Sequence, residues 1–290
     1  MPQPTKNRAL GFASCALLPA FTIKLIGARM QIARHLRRAA MRLTKPQLVE
    51  RTSRFAALAL LAVGLAGCQS IAGIQPLSQV RVIDVSPDAP ALDIYQNSPQ
   101  SSAAMLYNIG FGTVSSYIPV AAGAFSHAAY TSGTQQQLAF VRGTFLTGSQ
   151  YTVLAGNITA SLQMTVLKDQ SFPAPSGQVA LRFLDQATRT GTVDIYLVPP
   201  GSAPGKTAPI DTGLSYSSNT GYINVPSGTY SIVVLPGGTV PSSASSPTYT
   251  GSQVSYPGGS ARTILLIDQQ PATTPGLQVI TAADYDSATS

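Results

Sequence analysis

Tryptophan is absent from this chain, cysteine and histidine occur twice each in 290 residues, and only 10% of the residues are charged. Each scarcity closes off a class of protein. Cys15 lies near the N-terminus and Cys68 ends an apolar run, so no cysteine remains after residue 68 for a disulfide framework or a thiolate metal site. His127 is the only histidine after residue 67, too few for the usual zinc sites, which take three or four ligands. Positive charge is equally localised. Eleven of the 18 Lys and Arg fall in residues 1–67, leaving seven against ten Asp in the rest of the chain. The formal charge of +7 is therefore the sum of +10 on the first 67 residues and −3 on residues 68–290. Nothing after residue 67 is basic enough to track a phosphate backbone, which excludes a nucleic-acid partner. Ser, Thr, Gln and Asn must wet the surface instead.

The N-terminal region has the layout of an export signal. A basic stretch ending at Arg54 precedes an apolar run, Ala56 to Leu65, which closes in Leu65-Ala66-Gly67-Cys68. Small residues followed by cysteine resemble a lipoprotein signal peptide. That resemblance implies cleavage before Cys68, a diacylglycerol on its thiol, an acylated new amino terminus and membrane lipid as a partner. Several acyl chains would hold the protein stably, where one chain alone is marginal. Gln69 and Ser70 lack the acidic residue that retains many lipoproteins in an inner membrane, so an outer membrane is favoured in a cell that has two. The expected address is the cell envelope. Met41 opens a conventional signal peptide by itself, which makes it a candidate for the true start. The earlier run Ala9–Ile23, at 15 residues and broken by Ser14 and Pro19, is too short to span a membrane comfortably.

Beyond Cys68 the chain repeats itself. At an offset of 101, Arg81, Asp84, Asp93, Ile94 and Tyr95 recur as Arg182, Asp185, Asp194, Ile195 and Tyr196. At an offset of 105, the block from Tyr117 to Ser126 recurs from Tyr222 to Ser231. The repetition implies two domains of roughly 100 residues, within ordinary domain size. The expected organisation is residues 1–67 as leader and signal peptide, 68–79 as lipid-anchored linker, 80–168 as the first repeat, 169–178 as linker, and 179–285 as the second repeat. The periodicity inside each repeat is that of strands: Leu92 and Ile94 alternate with Asp93 and Tyr95, and Gly, Pro, Ser or Asn interrupt every 8–12 residues. No segment after Cys68 shows a helical stripe. The fold class is all-β, two tandem immunoglobulin-like β-sandwich domains, without the Cys and Trp framework of immunoglobulins themselves.

Ser86, Pro87, Asp88, Ala89, Pro90, Asp93 and Tyr95 resemble the opening motif of a bacterial family known as domain of unknown function 4397. In the second repeat, Ala187-Thr-Arg-Thr-Gly191 replaces the Ser-Pro-Asp-Ala-Pro portion, and only Val193 to Tyr196 keeps the pattern. The resemblance covers about residues 80–285. It implies a β-sandwich and an exported, often lipid-anchored protein, and it brings no activity with it.

Few residues are equipped for chemistry. Asp84, Asp88 and Asp93 form a carboxylate cluster in sequence that makes them the candidate cation or ligand site, although their spacing is not that of an EF-hand. Structural roles compete. Asp88 in Ser-Pro-Asp-Ala-Pro suits a β-turn, Asp93 suits a solvated or turn-bonding carboxylate, and Arg81 and Arg182 are natural partners for Asp84, Asp93 and their repeats. Ser126 precedes His127, which puts the two on opposite faces of a strand, and no Gly-x-Ser-x-Gly elbow exists. All 12 tyrosines lie after Cys68; flat, amphipathic and low in entropy, surface tyrosines suit sugar or peptide ligands, though Tyr is also a favoured strand residue. The expectation is a non-catalytic envelope protein for binding, adhesion or scaffolding. It has no catalytic residue, no metal and no cofactor, and an envelope glycan or protein is its partner. The rival expectation is an envelope hydrolase using Asp84, Asp88 and Asp93.

Overall fold

Arg81 and Val82 are neighbours in sequence, yet both are buried, and the architecture explains why. In the computed structural model, residues 77–97, 104–134, 136–242, 245–269 and 276–286 are described. The leader, Cys68 and most of the expected anchor segment lie outside them. No helix among the described residues is long and apolar enough to cross a membrane.

The first sandwich is built from β1 (Leu77–Asp84), β2 (Leu92–Gln96), β3 (Leu106–Ile109), β4 (Ile118–Ala121), β5 (Gly123–Thr131), β6 (Gln137–Phe145), β7 (Gln150–Gly156) and β8 (Gln163–Lys168). Its inner sheet runs β4-β1-β7-β8 and its outer sheet β3-β2-β5-β6. The second sandwich contains β9 (Gln178–Asp185), β10 (Val193–Val198), β11 (Asp211–Leu214), β12 (Asn219–Pro226), β13 (Gly228–Pro236), β14 (Tyr249–Thr250), β15 (Val254–Tyr256), β16 (Ala261–Asp268) and β17 (Leu277–Tyr285). Its inner sheet runs β12-β9-β16-β17 and its outer sheet β11-β10-β13-β14, with β15 also on β13. Each inner sheet holds one parallel pair, β1 with β7 and β9 with β16; every other pairing is antiparallel. The fold is all-β, as the strand periodicity indicates.

Period-2 alternation assigns each side chain a layer. Val80 and Val82 of β1 join Leu92, Ile94, Phe145 and Val153 in the first core. Leu181 and Phe183 of β9 join Ile195, Val234, Ile264 and Leu266 in the second. Each such apolar side chain contributes about 1.5–3 kcal/mol on burial. The opposite faces of the two inner sheets also bury one another. Ile83, Val85 and Leu154 pack with Leu184, Leu265, Ile267 and Ala282 in a third apolar cluster. The inner strands are thus covered on both faces, and β1 and β9 read as nearly continuous apolar runs for that reason.

Polar groups share this seam reciprocally. Arg81 donates through Nε to Thr152 Oγ1 (2.8 Å), then reaches the other sandwich at the Ala283 carbonyl (2.7 Å) and the Asp284 carboxylate. Arg182 repeats the pattern in reverse: Nε to Thr263 Oγ1 (3.1 Å), then the Lys168 carbonyl (3.0 Å) and Asp169 Oδ1 (2.6 Å). Tyr117 donates to Asp169 and Tyr222 to Asp284, each at 2.8 Å. Each arginine also stands over one of these rings, Arg81 at 4.8 Å from Tyr117 and Arg182 at 4.7 Å from Tyr222. Two buried cations and two buried carboxylates neutralise one another. The expected partnership of the arginines with Asp84 and Asp93 is therefore corrected. Arg81 is one residue out of phase with the core-facing Val80 and Val82, so it points away from the core and across the seam.

Candidate functional site

The three candidate carboxylates do not converge. Asp84 ends β1 on the same face as Val80 and Val82, fully buried, and its Oδ1 accepts the Ser86 N–H at 3.0 Å. Oδ2 has no hydrogen-bond partner, and burial pushes the carboxyl from 3.8 up to about 7, against the opposing Ser86 bond. Asp185 repeats this, accepting the Ala187 N–H at 2.9 Å and rising to about 6 through burial. Asp88 is exposed and accepts the Thr159 N–H (2.8 Å) and hydroxyl (3.1 Å), holding the short 3-10 turn Thr159–Ser161.

Asp93 sits on β2 with its side chain on the outside of the outer sheet. Oδ1 accepts the Asn108 N–H and the Ser132 hydroxyl, both at 2.9 Å, and Oδ2 accepts the Gly133 N–H at 3.0 Å. Burial would raise its pKa, but these three donors outweigh it and the net shift is downward. Asn108 and Gly133 both have positive φ (55° and 71°), so one carboxylate secures two left-handed turns. Asp194 does the same for Gly213 (φ 69°) and Gly238 (φ 76°), at 2.8 and 2.9 Å. The pairing of an Asp with two left-handed residues is the signal behind the repeated Asp-Ile-Tyr, and only the backbone angles reveal it. Among the described residues, no group of three or more His, Cys, Asp or Glu is placed to hold a metal ion.

His127 is sealed in the first core. It is fully buried, both ring nitrogens lack partners, its ring meets Phe145 edge-on at 4.9 Å, and burial lowers its pKa to about 4. A base so placed reaches no solvent and no nucleophile. Asp169 and Asp284, which sequence reasoning passed over, are the acids that matter at the seam. The signal for them was available: each closely follows or ends the last strand of its sandwich, β8 or β17.

The open feature is the outside of the first outer sheet. Register puts Tyr95 opposite Ala128 and Ala128 opposite Phe140, one row across three adjacent strands. Tyr107 on β3 extends the aromatic face. Tyr107 is 61% exposed and Phe140 57%. Tyr95 and Tyr130 meet edge-on at 5.3 Å, and the Tyr130 hydroxyl donates to Gln137 Oε1 at 2.8 Å. Burial, then the nearby Tyr107, Asp93 and Tyr130, hold the Tyr95 hydroxyl above its usual range. At one end of the face Ser126 stands opposite Arg142 in register. There a shallow depression of about 410 Å³ is lined by Asn97, Phe125, Ser126, Arg142 and Thr144, among others. The Arg142 side chain is exposed, and its guanidinium makes no hydrogen bond or ion pair with the described residues.

Residues 78–196 match the family described as Domain of unknown function (DUF4397). The DUF4397 match runs through the whole first sandwich and β9 to Tyr196 in β10, a shorter span than the residues 80–285 over which the sequence resemblance extends. It ends just past the segment 187–191, where the second repeat loses the Ser-Pro-Asp-Ala-Pro motif. Among curated proteins none matches. Solved structures found in comparison include a streptococcal virulence factor that binds alpha-glucan, 12% identical with a TM-score of 0.23, covering 65% of this chain and 92% of that one. Another is a family 26 carbohydrate-binding module of Eubacterium rectale Amy13K in complex with maltoheptaose. It is 10% identical with a TM-score of 0.21, covering 72% of this chain and 98% of that one.

Proposed function

We propose that this is an exported, lipid-anchored protein of the cell envelope whose two sandwiches serve a non-catalytic binding role, with an envelope glycan or protein as partner. The observation that carries the binding role is the exposed aromatic face of the first outer sheet. Large rings left in water on a flat sheet are surface that a partner can cover. Several chemically able groups are committed elsewhere: His127 is enclosed against Phe145, Asp93 and Asp194 hold turns, and Asp169 and Asp284 neutralise the seam arginines. The address rests on Leu65-Ala66-Gly67-Cys68 and the basic, then apolar, stretch before it. Acylation of Cys68 fixes the chain to the membrane and leaves the sandwiches to face the periplasm or the exterior.

The test is the intact mass of detergent-extracted native protein beside a Cys68→Ser version. A chain beginning at Cys68 with added acyl mass, lost in the variant, is the expected result. A chain that keeps residues 1–67 and carries no lipid would refute the anchor. The binding role is tested by co-sedimentation of the extracted protein with washed envelope fragments, where no retention would refute it.

A further inference from the structure

We propose that the outer face of the first sandwich binds an acidic glycan, with sugar rings resting on Tyr107, Tyr95 and Phe140 and a ring carboxylate or sulfate taken by Arg142. This names the ligand class for the binding role above and rests on that reading.

Three observations carry it. The first is that the fold closes the equivalent face in the second sandwich with its own chain. There Tyr196, Val198, Val233 and Leu235 form a buried cluster on the outside of the second outer sheet. The 3-10 turn Pro204–Lys206 packs against β10, and a Cβ on Gly205 would stand 3.1 Å from the Pro241 carbonyl, so two flanking segments meet there. Tyr95 occupies the register of Tyr196, yet its neighbours Tyr107 and Phe140 remain open to solvent.

The second is chemical. Among the described residues the face presents the Tyr95, Tyr107, Tyr130 and Phe140 rings, hydroxyl or amide groups at Ser126, Thr144 and Gln137, and the small alanines Ala124 and Ala128 along β5. Such a surface offers planar stacking for the C–H faces of sugars and rotatable hydrogen-bond partners for their hydroxyls. Tyr95 and Phe140 lie two strands apart, about 10 Å, so a ligand resting on both spans more than one sugar ring.

The third is charge. Among the described residues, two side chains of fixed charge lie on this face, at opposite ends. Asp93 is fully used by Asn108, Ser132 and Gly133. Arg142 lies in the Ser126 row, four residues along β5 from the Tyr130 row that adjoins Asp93, on the order of 14 Å away. Arg81, Arg182, Arg189 and Arg262 are all engaged in ion pairs. Arg142 beside its depression is therefore a cation with its planar fork of donors free for a carboxylate or sulfate.

The test uses the full chain in detergent and affinity electrophoresis through gels containing alginate, a polyuronate, or neutral dextran. The wild-type protein is expected to be retarded by alginate and far less by dextran. Phe140→Ala and Tyr107→Ala should each weaken alginate binding roughly tenfold, the effect of losing a central aromatic contact. Arg142→Gln should leave alginate and dextran indistinguishable. All three side chains are exposed, so unchanged urea midpoints will confirm folding. Dextran retardation equal to alginate, or an Arg142→Gln protein that still prefers alginate, overturns the acidic class. Co-sedimentation with envelope fragments separates the two levels of the reading. If the wild type and the Phe140→Ala and Tyr107→Ala variants are retained equally, the site is wrong and the envelope role stands. If treating the fragments with protease, but not with polysaccharide lyases, abolishes retention, the partner is a protein and the glycan assignment fails.

Discussion

Replacing His127 by isoleucine should remove an acid-sensitive weakness from the first core. The side chain is fully buried against Phe145 with no partner on either nitrogen, and its pKa falls from 6.5 to about 4. The depressed value favours the neutral ring in the folded state. The stability it confers is present above pH 6.5 and is lost as pH falls toward 4, because the unfolded chain takes up the proton first. Full protonation of the unfolded chain corresponds to about 3 kcal/mol, and at pH 5 the loss is about 2 kcal/mol. Isoleucine is the natural replacement, since Ile232 stands opposite Leu197 on β13 and β10 as His127 stands opposite Gln96 on β5 and β2. Urea unfolding of both full chains at pH 7.5 and pH 5.0 reads the effect. The advantage of the variant should grow by about 2 kcal/mol at the lower pH, while the titrations of Asp84 and Asp185, common to both chains, cancel. An advantage of the same size at both pH values would refute the reasoning, for it would mean that the imidazole is protonated where it lies.

Asp169→Asn leaves Arg81 and Arg182 facing Asp284 alone in a buried seam, and should lower stability by about 3–5 kcal/mol in urea titration; a loss below about 1 kcal/mol would show the cluster to be solvated. Asp84→Asn should flatten part of the pH profile. With the folded pKa raised from 3.8 to about 7, the wild-type carboxyl contributes stability that is complete below 3.8 and lost as pH rises through 7, about 4 kcal/mol in all. The variant–wild-type difference measured at pH 4.5 and pH 8 checks this, and an unchanged difference counts against it. Asp93→Ala frees the Asn108, Ser132 and Gly133 donors and should destabilise by about 2 kcal/mol or more, whereas Asp88→Ala removes only an exposed turn contact worth about 1 kcal/mol. Thermal unfolding that ranks the two the other way would reverse their roles.

The strand character of the chain was legible because alternation is a local property. Leu92 and Ile94 face a core whatever the topology, and the Gly and Asn turns announce themselves. The seam was not legible. Alternation marks a residue as facing away from one core without saying whether water or another sheet lies there, and Arg81 reads as a surface residue until the second sandwich is in place. Asp93 was partly legible: a turn-bonding carboxylate is expected from its neighbours, but its two left-handed partners lie 15 and 40 residues away. The aromatic face was the least legible part. Tyr95 and Tyr196 share the same Asp-Ile-Tyr context, and the burial of Tyr196 involves segments that come after β10 and β13, whose course no periodicity encodes.

The crossed arginines at the seam give each half of the molecule what the other half lacks: a cation for a distant carboxylate and a carboxylate for a distant cation. Contacts of that reciprocal kind do not depend on both partners belonging to one chain. Two molecules exchanging their C-terminal halves would rebuild the same seam twice, with Arg81 of each meeting Asp284 of the other, and the segment between β8 and β9 would be the hinge. In such an exchange, concentration during refolding would become a variable of assembly, and monomer and exchanged dimer would share the seam contacts and differ in the path of the chain between them.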